Sequence, residues 1–170
     1  LRAHRTAYAP DLPGFGFSER SERRYTPRLM TDAVHAFVER IRARHGGMAV
    51  DAIALSLSCE FVARAAAERP DAFHSLALIS PTGFSARTPA DGAPGTTLAM
   101  PTLHRILAAP AWRRGLFGLL TRRGTIRYFL ERTYGSKHID EALLDYDYLT
   151  THVPGAEHAP LQFVSGFLFS

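Results

Sequence analysis

The chain has 170 residues, 46% hydrophobic and 21% charged, and a formal net charge of +4. That composition fits one globular domain with a fair core and excludes a disordered or fibrous chain. The single cysteine, Cys59, excludes an internal disulfide and a thiolate metal cluster, and no run of about eighteen apolar residues offers a membrane span.

In chain order, residues 5–10 are strand-like and residues 11–25 form a loop rich in glycine, proline and charge. A helix opens with Thr26 as cap and Pro27 at its first position. Met30, Ala33, Val34, Phe37, Val38 and Ile41 give it one apolar face, and Gly46 and Gly47 end it. Residues 48–55 are a short apolar strand with Asp51 as its odd polar member. Residues 58–69 are a helix stopped by Pro70, and residues 74–80 the next strand. This alternation, with short connections, predicts parallel crossovers and an α/β sheet.

Composition changes at residues 85–100, where Pro, Gly, Ala and Thr dominate. The segment reads as a mobile linker in which limited proteolysis cuts first. Helical patterns follow at 101–108, 111–121, 123–134 and 138–151, with breaks at Gly135 and at Pro154-Gly155. There is no internal repeat. The arginines scatter over several predicted helix faces (Arg40, Arg42 and Arg44; Arg113 and Arg114; Arg122 and Arg123) and lack the clustering a nucleic-acid partner needs.

The motif with the most chemistry in it is Ala54-Leu55-Ser56-Leu57-Ser58, where the apolar strand meets the Ala-rich helix. A serine with small residues two places before and after it, between strand and helix, is the pattern of a nucleophile elbow. A tight turn lifts the hydroxyl clear, and the small neighbours let strand and helix pass closely. The small residues here are Ala54 and Ser58 in place of the usual glycines. Ser56 fits better than its neighbours: a Ser58 nucleophile would put Glu60, and a Cys59 nucleophile Phe61, where a small residue belongs. Cys59 reads as a small core hydrophobe.

Upstream runs Asp11-Leu12-Pro13-Gly14-Phe15-Gly16-Phe17-Ser18. A GTPase switch is excluded, because no G-x-x-x-x-G-K-[ST] loop exists and the only lysine is Lys137. Taken with the elbow, the segment resembles the α/β-hydrolase family, in which a D-x-P-G-x-G-x-S loop leaves the fourth strand and the elbow follows the fifth. The resemblance covers about residues 5–84 and includes Leu78-Ile79-Ser80-Pro81-Thr82-Gly83 as the end of a sixth strand.

The resemblance implies a partial doubly wound, mostly parallel sheet over residues 1–84, with three strands and two helices. A helical cap over 85–170 follows, in which Trp112 and Phe117 are the candidates for lining a pocket. It implies a serine hydrolase acting on an ester or similar small acyl substrate, with Ser56 as nucleophile and the Leu57 N–H as one oxyanion donor. Serine at that place argues against the dehalogenase and epoxide-hydrolase members, which use Asp. No cofactor and no metal are implied. The family's acid and histidine follow the cap, and neither has a matching position here; the second oxyanion donor has none either. His35, His74, His104, His138, His152 and His158 read as surface or packing residues.

The chain thus reads as a fragment, inactive alone, of a cytoplasmic enzyme. The alternative is a non-catalytic binding or remnant protein on the same scaffold. Without a third strand beside it the sheet should expose edges and apolar faces, which favours self-association.

Overall fold

A computed structural model of the chain describes residues 6–82 and 97–169. It divides into two units: residues 1–12 with 28–88, and residues 13–27 with 89–170. Residues 85–96 of the predicted linker lie outside the described residues.

In the first unit, helix α1 (Pro27–Arg44) begins at the proline, as the start signal predicts. Met30, Val34 and Val38 are buried on one face, while Asp32, Ala36, Glu39 and Arg40 are exposed. Arg42 and Arg44 sit in the last turn, where cations favour the carbonyl end of the helix dipole. Gly46 and Gly47 adopt φ +67° and +81°, and the Gly47 N–H donates to the Arg42 carbonyl at 2.8 Å. Only glycine takes two such angles in succession without strain.

Strand β1 (Val50–Leu55), helix α2 (Ser58–Glu68), a 3₁₀ turn (Pro70–Ala72) and strand β2 (Phe73–Ile79) make one parallel crossover. The register pairs Asp51 with Ser75 and Leu55 with Ile79. Asp51, the odd polar residue of β1, accepts the Ser75 hydroxyl at 2.5 Å across the pair. Helix α2 buries Cys59, Phe61 and Ala65. Ile53 and Leu55 on β1 and Leu76, Leu78 and Ile79 on β2 stay exposed, although parallel sheets normally bury both faces.

One predicted strand is absent. Residues 6–12 form no ladder, and the sheet among the described residues has two strands rather than three. A strand exists only with a hydrogen-bonded neighbour, and no other described strand lies beside this segment to supply one. Tyr8 instead donates its hydroxyl to, or accepts from, His45 at 2.9 Å and sets its ring edge-on to Phe37.

Glu68 ties the two helices of this unit. It takes Arg28 at 2.5 Å and His35 at 2.9 Å. The Arg28 hydrogen bond above all, then that of His35, holds its carboxyl at about 2, against an ordinary 4.5. A lowered folded-state value adds stability above the unfolded value and loses it as pH falls from about 4.5 to about 2. The side chain is 38% exposed, so screening trims the effect to about 1 kcal/mol or less. Glu68→Gln should flatten the stability curve in that acid window and leave its shape near neutrality alone, as read by urea unfolding at stepped pH.

The second unit is helical: α3 (Pro101–Leu107), α4 (Arg113–Leu120), α5 (Arg123–Tyr134), α6 (Glu141–Thr151) and α7 (His158–Val164). Gly135 caps α5 at φ +63°, and the Asp140 carboxylate starts α6 by accepting the Ala142 N–H at 2.8 Å. Helix α7 is an element the sequence pattern misses. Pro160 lies inside it, but in the first turn, where the amide it lacks has no helical partner anyway. The apolar tail is consumed within this unit, where Phe167 and Leu168 are buried.

The segment 13–27 clusters with this unit. The Gln162 side chain accepts the Tyr25 N–H and donates to the Arg23 carbonyl, both at 2.7 Å. Arg20 donates to the Thr150 carbonyl at 2.5 Å. Among the described residues no helix is long and apolar enough to cross a membrane.

Candidate active site

The elbow is built by one residue. Strand β1 ends at Leu55, α2 begins at Ser58, and Ser56 between them has φ +54°. Left-handed backbone costs an L-residue about 1–2 kcal/mol, and such strain collects where function requires it. The hydrogen bonds around Ser56 hold the turn. Its N–H donates to the Ile79 carbonyl at 3.0 Å, extending the β1–β2 ladder by one step. Its carbonyl accepts the Cys59 N–H at 3.1 Å and the Thr82 N–H at 3.5 Å.

Of the two small residues flanking Ser56, Ala54 is buried and Ser58 is half-buried. Ala54, two before Ser56, is 4% exposed under α2. Cys59 is fully buried, and its thiol lies 3.4 Å from the Ala54 carbonyl and 3.5 Å from that of Ile79. It is the core residue the sequence suggests.

Ser56 itself is exposed, and no hydrogen bond to its hydroxyl forms among the described residues. Leu57 is already helical, at φ −62° and ψ −32°. Its N–H, at the cap of α2, takes no partner among the described residues and remains a donor beside the serine.

Ser80 is a feature the sequence reading did not flag. It follows β2 at φ +45°, the other non-glycine residue with positive φ among the described residues. Because Leu55 pairs with Ile79, the two strained serines stand side by side at the carboxyl ends of parallel strands. Ligands of open α/β sheets bind outside those strand ends. A serine before a proline gives no sequence signal for left-handed backbone.

Among the described residues no histidine hydrogen-bonds Ser56. His35 bonds Glu68, and His45 bonds Tyr8. His74 is exposed on β2, and His104, His138, His152 and His158 belong to the second unit. Among the described residues no group of three His, Cys, Asp or Glu side chains could hold a metal. The Gly-Pro loop upstream is a tight turn within the second unit. The Gly14 N–H donates to the Glu19 carbonyl at 2.8 Å, and the Ser18 N–H to that of Phe15 at 3.0 Å. Trp112 is half exposed and donates its indole N–H to the Ile106 carbonyl at 3.0 Å. Neither it nor Phe117 lines the cavity described in that unit.

Comparison with known proteins returns one family. The sequence profile described as alpha/beta hydrolase fold matches residues 1–119. No curated protein and no solved structure matches the chain. The matched span contains the Gly-Pro turn, the parallel crossover and the strained serine between strand and helix. On that match the chain belongs to the α/β-hydrolase fold family.

Proposed function

We propose that Ser56 is the nucleophile of a serine hydrolase that acts on an ester or a similar small acyl substrate. The observation that carries this reading is the left-handed, exposed Ser56 between a parallel strand and a helix. Glycine would take this backbone without the strain, so a serine here points to a use for its side chain. In the reaction Ser56 Oγ attacks the acyl carbon and its proton passes to a base. The Leu57 N–H donates to the oxyanion, the alcohol leaves, and water then cleaves the acyl-enzyme. The α3–α7 helices act as the cap of a doubly wound sheet more complete than the two strands described, and the parent protein supplies base and acid.

The test is covalent. A parent protein that carries this segment should react with a fluorophosphonate probe at Ser56, and Ser56→Ala should abolish the labelling. A second reading, a non-catalytic protein on this scaffold, is favoured by the missing glycines beside Ser56 and by the absence of a histidine bonded to it among the described residues. A folded parent that resists the probe would decide for that reading.

The uncovered sheet has its own consequence. Ile53, Leu55 and Ile79 are each at least half exposed, and apolar strands with an open edge recruit partners. We infer that the 170-residue chain self-associates through this surface. Ile53→Lys should lower its weight-average mass in sedimentation at equal concentration; an unchanged mass would remove the sheet from the contact.

A further inference from the structure

The second unit holds a cavity of about 280 Å³ that the proposed hydrolysis does not use. That volume is just below the usual range of about 300–1,000 Å³ for ligand pockets, room for a small ligand only. Arginines converge on it from two parts of the chain: Arg23 and Arg24 from the segment before α1, and Arg113 from the first position of α4. His104 of α3 and His158 at the start of α7 join them, and Ala108 and Leu161 add apolar surface. Glu22 is the one acidic side chain in the lining, and it is 81% exposed.

The three arginines differ in how they are neutralised, and only Arg24 has no carboxylate partner among the described residues. Arg23 is satisfied, with Glu19 at 2.5 Å. Arg24 lies over the Phe167 ring at 5.9 Å and pairs with no carboxylate among the described residues. Arg113 Nε has Glu157 at 3.4 Å, and its Nη1 has Glu22 only at 3.9 Å. That Nε is buried and yet makes no hydrogen bond. A buried charged donor paired with a carboxylate but not hydrogen-bonded by it can take a better-placed acceptor, and an oxyanion is the acceptor that guanidinium groups bind best.

The wall that carries these groups is fixed in advance. Gln162, itself buried, pins the backbone of Arg23 and Tyr25 to α7 through both ends of its amide. Phe167, under Arg24, also meets the His104 ring at 5.2 Å. Burial pushes the His104 imidazole below its ordinary range, so at neutral pH it offers a hydrogen bond without a charge.

We propose that this cavity binds the oxyanion end of a small organic ligand, a carboxylate or a phosphate, with Arg24 and Arg113 as its charge partners and Ala108 and Leu161 beside its apolar part. The site lies wholly within one unit and does not depend on the role of Ser56.

The test is a titration of the 170-residue chain with inorganic phosphate and, separately, with butyrate, at constant ionic strength. The imidazole C–H resonances of His104 and His158 are followed by NMR. Saturable shifts of both are expected, with Kd about 1 mM or tighter, and the tighter of the two anions identifies the headgroup. Arg24→Gln should weaken binding about tenfold, and Arg113→Gln at least as much. Arg113→Gln also strips Glu157 of its ion pair; if it loosens the fold, Arg24→Gln, on an exposed side chain, still decides. Arg40→Gln on α1 lies outside the cavity lining and should leave Kd unchanged. The proposal is overturned if neither anion gives saturable shifts at about twenty times that Kd, if Arg24→Gln binds as well as the unaltered chain, or if Arg40→Gln weakens binding equally.

Discussion

The 170-residue chain should hydrolyse a simple ester such as p-nitrophenyl acetate at least about four orders of magnitude more slowly than a parent protein that supplies a base and a carboxylate. A serine hydroxyl is a weak nucleophile near neutral pH until a base takes its proton. No histidine hydrogen-bonds Ser56 among the described residues. The oxyanion would find the Leu57 N–H and no second donor matched by the family, a further loss of about a hundredfold. These losses do not add in full, because groups that act as a unit fail as a unit. Ser56→Ala in the short chain should therefore change its residual turnover little, whereas in the parent it should remove nearly all. Robust turnover by the short chain, abolished by Ser56→Ala, would mean that one of its own histidines is the base.

What the sequence made legible is what neighbouring residues decide. Thr26-Pro27 started α1, Gly46-Gly47 ended it, Pro70 stopped α2, and the small residues around Ser56 marked the turn; each element lies within two residues of its expected bounds. These signals act over a few residues, through dihedral limits and missing amides. What failed depended on distant partners. Residues 6–10 carry strand-like composition but have no ladder to join. The segment 13–27 packs with the helical unit because Gln162, far along the chain, bonds its backbone. Arg113 counted among the scattered arginines because nothing in the local sequence brings it to one lining with Arg24. Helix α7 was hidden by Pro160, a residue that forbids a helix interior but suits a first turn.

The D-x-P-G-x-G-x-S loop invites a functional reading of its first glycine, and the structure gives that glycine a packing role. Gly14→Ala should cost about 3 kcal/mol or more, among the largest effects of any single methyl in this chain. Gly14 sits at φ +87°, so alanine there carries backbone strain whatever the space. The space is also taken. A Cβ would stand 2.4 Å from the Ala159 Cβ and 2.5 Å from Tyr25 Cε1. Neither can retreat: Ala159 and Tyr25 are fully buried, and the Tyr25 hydroxyl donates to the Ser21 carbonyl at 2.8 Å. Gly46→Ala separates the two contributions. Gly46 has φ +67° with nothing within 4 Å of a Cβ, so it should lose only the strain, about 1–2 kcal/mol. Urea unfolding of both variants measures the difference, with near-ultraviolet circular dichroism reporting Tyr25 and its neighbours. If Gly14→Ala unfolds at the same midpoint as Gly46→Ala, the close packing of Gly14 against Tyr25 and α7 is wrong, and its place in the motif needs a different cause.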